Sequence, residues 1–187
     1  MKKLAIGSIL GAIVIFFWQF LSFALLNLHN PATAYTPKQT EVLTYLSSQF
    51  TESGSYYMPR TPDDASSQEM EKAMEDARGK PWAIVSYHKS MNTNMGANMA
   101  RGIVINIIMV GLLCWIISRL KDPTFGNILL TSVATGLIIF FNVPYTNHIW
   151  YETFDLTAFL IDAIVGWGLV GVVLGMVYRR KASIGKA

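Results

Sequence analysis

The distribution of apolar residues divides the chain into four long apolar stretches separated by polar connections. The stretches cover residues 4–28, 102–120, 125–143 and 156–178. A hydrocarbon core about 30 Å thick requires roughly 20 residues of apolar helix, and each stretch is close to that length. The pattern therefore predicts four transmembrane helices. The first stretch exceeds the about 7–15 apolar residues of a signal peptide, so we expect it to be retained as a helix.

These stretches predict an all-α four-helix membrane bundle, with a small α+β extracytoplasmic cap between the first two helices. We assign the segments as follows: helix 1 at residues 1–29, cap at 30–100, helix 2 at 101–121, helix 3 at 122–143, outer loop at 144–155, and helix 4 with a basic tail at 156–187.

Basic residues indicate the orientation of the four helices. They flank the ends that would share one side of a membrane: Lys2, Lys3, Arg119, Lys121, Arg179, Arg180 and Lys181. The loop at 144–155 contains no Lys or Arg. Because short cytoplasmic loops carry an excess of these residues, both termini are predicted to be cytoplasmic, and residues 30–100 are predicted to be periplasmic or extracellular.

The polar segment at 30–100 carries signals for two helices and two strands. Thr36 followed by proline indicates a helix start, and Asp63 with Asp64 is expected to cap a second helix. Residues 55–58 and 82–87 have strand-like composition, and we expect them to pair. Because a two-stranded sheet alone is marginally stable, the cap is expected to lean on the bundle, its own helices or a partner.

Small residues predict where the helices approach each other. Gly7 and Gly11 are four residues apart in the first span, and Gly171 and Gly175 are four apart in the fourth. Such spacing permits close contact between helices in lipid, so we expect these two spans to meet there. Trp167, which lies between two glycines, is expected to fill a groove in a neighbouring helix.

Composition excludes some functional classes. The chain of 187 residues is 52 % hydrophobic and 14 % charged, which is too apolar for an ordinary soluble domain. Its net charge of +3 comes mainly from residues at membrane boundaries and does not indicate binding to nucleic acid. The single cysteine, Cys114, is interpreted as a small buried residue in the bundle.

Asp162 is the most unusual residue, because it falls inside the fourth apolar stretch. An ionised carboxylate in lipid costs on the order of 3 kcal/mol, so it should face the bundle interior or be protonated. Asp155 lies seven residues earlier, on roughly the same helical face. Together they are candidates for an ion or proton site; the alternative is a hydrogen-bonded aspartate that fixes the helix register.

Two further groups have the chemistry of metal ligands. The three histidines map to the outer side, and imidazole with carboxylate suits zinc, whereas methionine sulfur suits copper. Three methionines recur at every fourth residue and would form one stripe on a helix. The candidate ligands are His88, Met91, Met95, Met99, His148 and Glu152. Packing at the membrane interface is the favoured explanation of the methionines. No cofactor is therefore predicted, and a bound copper or zinc ion is the alternative.

Three short motifs resemble a family of small, uncharacterised bacterial membrane proteins. They are Phe-Phe-Trp at 16–18, Ser-Gly-Ser-Tyr-Tyr-Met-Pro at 53–59 and Gly-Trp-Gly at 166–168. The resemblance implies a bacterial inner-membrane protein with an outward-facing cap, and it implies no activity.

The sequence favours an accessory or interaction subunit of a larger membrane assembly without catalysis of its own. It contains no motif of hydrolases, metalloproteases or nucleotide-binding proteins. Expected partners are the lipid bilayer and other membrane proteins, with a homo-oligomer open. The alternatives are a small transporter or proton-handling protein that uses Asp162, and an outer-face metal-handling protein.

Overall fold

The computed structural model describes residues 2–91 and 93–178 of the chain. Its elements, in chain order, are α1 (Lys2–Leu25), α2 (Gln39–Gln49), β1 (Gly54–Met58), α3 (Ser67–Ala77), β2 (Ala83–Tyr87), α4 (Met95–Arg119), α5 (Phe125–Trp150) and α6 (Leu156–Tyr178). Helices α1, α4, α5 and α6 are long and apolar enough to cross a membrane, which confirms the four predicted spans and indicates a multi-pass membrane protein. The predicted basic tail lies outside the described residues.

Two helices extend past their predicted ends. Helix α4 begins at Met95 rather than near residue 101, because Asn94 caps it by accepting a hydrogen bond from the Ala97 N–H at 3.0 Å. Helix α5 continues past residue 143 to Trp150, since Pro144 lies within a widened π turn at Phe141–Tyr145. The loop predicted at 144–155 is correspondingly shorter.

The described chain forms two compact units. The membrane unit contains residues 2–34 and 94–178, and the cap unit is Tyr35–Thr93. Within the membrane unit, α1 packs against α4 and α6, while α5 packs against α6. The buried core of this unit is apolar: Ile15, Val110, Leu113, Cys114, Ile117, Ile128, Trp167, Val170 and Leu174.

The first and fourth spans pack against each other at the glycines of α1, where a side chain added at Gly7 would contact Leu174 of α6 at 3.2 Å, but the glycines of α6 lie on another face. A side chain at Gly11 would contact Val110 of α4 at 2.6 Å and Val170 of α6 at 3.4 Å. Gly171 and Gly175 instead face α5, where added side chains would contact Ser132 at 2.9 Å and Phe125 at 2.5 Å. Each glycine pair therefore allows two helices to come close together. The pair in α1 faces α4 and α6, whereas the pair in α6 faces α5.

Trp167 lies in a groove of α5. It is 5 % exposed, and a side chain added at Gly136 would meet its ring at 2.7 Å and also the backbone carbonyl of Ala163. The Ser132 hydroxyl donates a hydrogen bond of 2.6 Å to the Trp167 carbonyl oxygen. The contact between α5 and α6 is therefore fixed by the hydrogen bond from the Ser132 hydroxyl to the backbone and by the lack of a side chain at Gly136.

The cap unit contains the predicted pair of strands. β1 and β2 pair antiparallel, with Tyr56 opposite Val85. Phe50, which follows α2, stacks on Tyr56 at 3.8 Å between ring centroids and contacts Tyr87 at 5.5 Å. The sheet is therefore supported by aromatic packing from its own helix.

The helix starts in the cap unit differ from those predicted. α3 is capped by Ser66 rather than by Asp63 or Asp64: the Ser66 hydroxyl accepts from the Glu69 N–H, and the Glu69 carboxylate accepts from the Ser66 N–H at 2.8 Å. These bonds from Ser66 lower the pKa of Glu69. Asp63 instead pairs with Arg60. α2 begins at Gln39, after Thr36 and its proline, without a side-chain cap.

Candidate functional site

A buried histidine joins two aspartates in the membrane unit. His29 follows α1 and is 4 % exposed. Its Nδ1 lies 2.8 Å from Oδ2 of Asp155, and its Nε2 lies 3.1 Å from Oδ2 of Asp162. The imidazole therefore forms a bridge between two carboxylates of α6. We call Asp155, His29 and Asp162 the triad.

A reversal of the chain after α1 places His29 against α6. Asn27 has a φ of +52°, a left-handed conformation that asparagine tolerates better than most residues. The Leu28 N–H then donates to the Ser22 carbonyl at 3.0 Å, and a short 3₁₀ turn at Asn30–Ala32 follows. His29 is held between these two turns, so its backbone position is set by hydrogen bonds on both sides.

The two aspartates occupy special positions in α6. Asp155 is the N-cap residue, but its side chain caps no backbone N–H and bonds to His29 instead. Asp162 begins a π turn at Asp162–Gly166, an irregularity that is frequent at functional sites. Both carboxylates therefore bond to His29, one from the start of α6 and the other from its π turn.

Aromatic side chains enclose the triad. The Phe23 ring stacks on His29 at 3.8 Å between centroids, and Phe159 contacts its edge at 4.7 Å. Trp18 donates its indole N–H to Oδ1 of Asp162 at 2.9 Å. Gly166 gives this indole room, because a side chain there would contact Trp18 at 2.6 Å.

The two hydrogen bonds of His29 set the minimum number of protons that the triad holds. Each of its two N···O contacts requires one proton, so two protons are shared among one imidazole and two carboxyl groups. An imidazolium with two carboxylates, and a neutral imidazole with one protonated aspartate, both carry a net charge of −1. In the described part of the chain, no Lys or Arg pairs with either carboxylate. With these two protons alone the triad carries a net charge of −1, and a third proton on a carboxylate oxygen that does not face His29 would make it neutral.

A second polar contact lies beside the triad. The Asn106 side chain of α4 is 2 % exposed and donates from Nδ2 to Oε1 of Gln19 in α1 at 2.9 Å. This pair satisfies a buried amide and joins α1 to α4, just as His29 joins the C-terminal end of α1 to α6.

The structure brings both predicted ion-site residues together and adds a partner that sequence reasoning missed. Asp155 and Asp162 share the face of α6 that contacts His29. From the sequence, His29 belongs only to the group of three outer-side histidines. Its place directly after the first apolar stretch nevertheless puts it at the outer side, where the fourth stretch begins. His29 and Asp155 are 126 positions apart in the sequence, so no local pattern connects them.

The predicted zinc ligands have other partners. His88 in the cap unit lies 3.3 Å from the Ser86 hydroxyl. His148 in α5 accepts at Nδ1 from the Thr153 N–H at 3.1 Å, and Glu152 is exposed. Across residues 2–91 and 93–178, no three His, Cys, Asp or Glu side chains are arranged to hold a metal ion. The triad itself directs each ring nitrogen at a different carboxylate.

The methionines do not form one continuous helical stripe. Met95 and Met99 lie in the first turns of α4, whereas Met91 precedes this helix. All three side chains are exposed.

No family model, curated protein or solved structure matches this chain. The resemblance to small bacterial membrane proteins therefore remains an expectation, and the interpretation of the site depends on its geometry.

Proposed function

We propose that this chain is a small membrane protein that handles protons at the triad, most directly as a proton-linked transporter. The observation that carries the proposal is the bridge from Asp155 through His29 to Asp162. An ionisable group within a membrane span is costly and is retained chiefly for function. Histidine is the side chain best suited to pass protons near neutral pH.

The bridge supports a balanced proton transfer. In one arrangement Asp155 is protonated and donates to Nδ1, while Nε2–H donates to ionised Asp162. If the Asp155 proton moves to Nδ1 and the Nε2 proton moves to Asp162, the second arrangement results. One proton equivalent has then moved along α6 with no change in net charge and no change in either N···O partner.

Replacement of Asp162 by asparagine tests this function. We expect the purified full-length protein in liposomes to dissipate an imposed pH gradient, measured with an internal pH-sensitive dye. Asp162→Asn should reduce this rate at least tenfold, because the amide can no longer receive a proton from Nε2. Glu71→Gln, which removes an exposed carboxylate of α3, should retain the wild-type rate. Equal rates in Asp162→Asn and wild type would contradict the proposal.

The accessory-subunit role is the second candidate, and one observation favours it. In the described part of the cap unit, no residue is buried, and several large side chains are exposed: Tyr35, Leu43, Tyr45, Met74 and Trp82. Such a surface is typical of a segment that is covered by another protein. If the wild-type protein moves no protons, this role is favoured, and stoichiometric partners after mild-detergent purification would support it.

We also propose a bacterial inner-membrane location with both termini in the cytoplasm. The support is the basic residues at the start of α1 and around the α4–α5 connection, together with the absence of Lys and Arg between α5 and α6. A cysteine introduced at Ser47 should react with an impermeant thiol reagent in intact cells. One introduced at Asp122 should react only after lysis, with Cys114 replaced by serine in both variants. The reverse pattern would overturn this orientation.

A further inference from the structure

A cavity of about 320 Å³ lies beside the triad in the membrane unit. Residues from α1, α4, α5 and α6 line it, and its size is within the range of small-molecule sites. Five of the lining side chains are aromatic: Trp18, Phe23, Phe140, Phe159 and Trp167. Asp162 is the one ionisable side chain among the described lining residues. The cavity therefore combines aromatic rings with a single carboxylate.

The charge at this carboxylate is available to a ligand. Trp18 donates to Oδ1 of Asp162 and His29 bonds to Oδ2, but each carboxylate oxygen offers two lone-pair directions. With the two protons of the His29 bonds alone, the triad carries a net charge of −1. A cation in the cavity would neutralise this charge beside a carboxylate whose side chain is 19 % exposed, and partial burial strengthens the interaction between two charges.

The lining favours an organic cation over a metal ion. Hard metal ions require about six oxygen ligands, whereas Asp162 and Gln19 are the oxygen-bearing side chains among the described lining residues. The Gln19 oxygen already accepts from Asn106 at 2.9 Å. Aromatic faces, in contrast, attract alkylammonium groups through their quadrupoles and need no directed lone pair.

We propose that this cavity binds an organic cation with a quaternary or other alkylated ammonium group, whose charge is balanced by Asp162. This inference rests on the proposed function, because the same carboxylate receives the proton. A proton added to the triad and a bound cation neutralise the same charge, so they compete. The protein then moves protons alone when no cation is present and exchanges them for an alkylammonium substrate when one is bound, which gives the proton-linked transport a substrate class.

Benzyltrimethylammonium is a suitable probe because it combines an aromatic ring with a quaternary nitrogen. We expect it to bind the full-length protein saturably in phosphatidylglycerol nanodiscs, measured by calorimetry and tryptophan fluorescence. Asp162→Asn should weaken binding at least tenfold, whereas Glu71→Gln should not. Neopentylbenzene, which has carbon in place of the nitrogen, should bind at least tenfold more weakly than the cation to wild type. Equal binding of the cation and its neutral isostere would overturn the inference.

A second variant keeps the test decisive if Asp162→Asn fails to fold. Phe140→Leu removes one aromatic face and keeps an apolar side chain, so it should weaken binding of the cation more than binding of neopentylbenzene. An equal loss for both ligands would contradict a role of the ring in cation binding. Phosphatidylcholine has a quaternary ammonium headgroup, which could compete with the probe for the cavity. Lower affinity for the probe in phosphatidylcholine nanodiscs than in phosphatidylglycerol nanodiscs would therefore support the ammonium site and would identify its natural ligand as a lipid headgroup.

Two results separate this inference from the proposed function. If Asp162→Asn abolishes proton flux but wild type binds no probe, the cation site is wrong and the proton role stands. If the probe binds through Asp162 but no proton flux occurs, the cavity is a binding site and proton transport is wrong.

Discussion

Replacement of His29 by alanine should lower the free energy of unfolding by about 3 kcal/mol or more. The change removes the imidazole that bridges Asp155 and Asp162 and leaves their carboxyl groups without this partner in a site whose central residue is 4 % exposed. Loss of one partner from a buried charged contact is costly because the remaining charge stays desolvated. The reversal of the chain after α1 would also lose its attachment to α6. Thermal or denaturant unfolding in mild detergent measures the effect.

His148→Ala is the matched control for this variant. His148 is a half-buried histidine whose described bonds join it to Thr153 alone, at 3.1 Å from the backbone N–H. We expect its replacement to cost about 1 kcal/mol, the usual contribution of a neutral hydrogen bond. In the His29→Ala background, adding Asp155→Asn should restore part of the lost stability, since it removes one of the two opposed carboxylates. Equal losses for His29→Ala and His148→Ala would show that the triad contributes no special stability.

Gly136→Ala should destabilise the contact between α5 and α6 by about 1–3 kcal/mol. An added methyl group would meet the Ala163 backbone carbonyl and, at 2.7 Å, the Trp167 ring. Backbone cannot rotate away as a flexible side chain can, so the helices must separate. The higher helix propensity of alanine, about 1 kcal/mol over glycine, offsets only part of this cost.

Gly168→Ala provides the control for this substitution. Its added methyl group would lie 3.9 Å from Val133, an ordinary van der Waals distance, so stability should stay unchanged or rise slightly. In the same detergent, the unfolding curve of Gly136→Ala should therefore move to lower stability, whereas that of Gly168→Ala should stay in place or move slightly to higher stability. A similar small change in both would contradict the close contact described for Gly136.

The sequence was sufficient to predict the four spans and the pairing of the two strands. Uninterrupted apolar residues leave little alternative to a membrane helix, and alternating aromatic and polar residues between turn signals are typical of strands. Asp162 was recognisable because a carboxylate in an apolar stretch needs a partner. These features are local, so they can be inferred from neighbouring residues.

The partner of Asp162 could not be inferred in the same way. His29 reaches it because Asn27 adopts a left-handed conformation and reverses the chain, which a single asparagine does not specify. The direction of each glycine pair was also beyond the sequence, since four-residue spacing predicts close approach but not which helix approaches. In the cap unit, Asp63, Asp64 and Ser66 are all residue types that cap helices. Ser66 is the cap because it forms a capping box with Glu69, which lies three residues further along the chain.

The π turn at Asp162–Gly166 has a consequence for the whole of α6. A π turn contains one residue more than an α turn, so the periodicity of the helix is shifted where the turn occurs. The segment before it presents Asp155 to His29, and the segment after it presents Gly171 to α5. The helical periodicity before the π turn is therefore out of register with the periodicity after it. A design that assumes one uninterrupted period along α6 would place the side chains of one half against the wrong neighbouring helix.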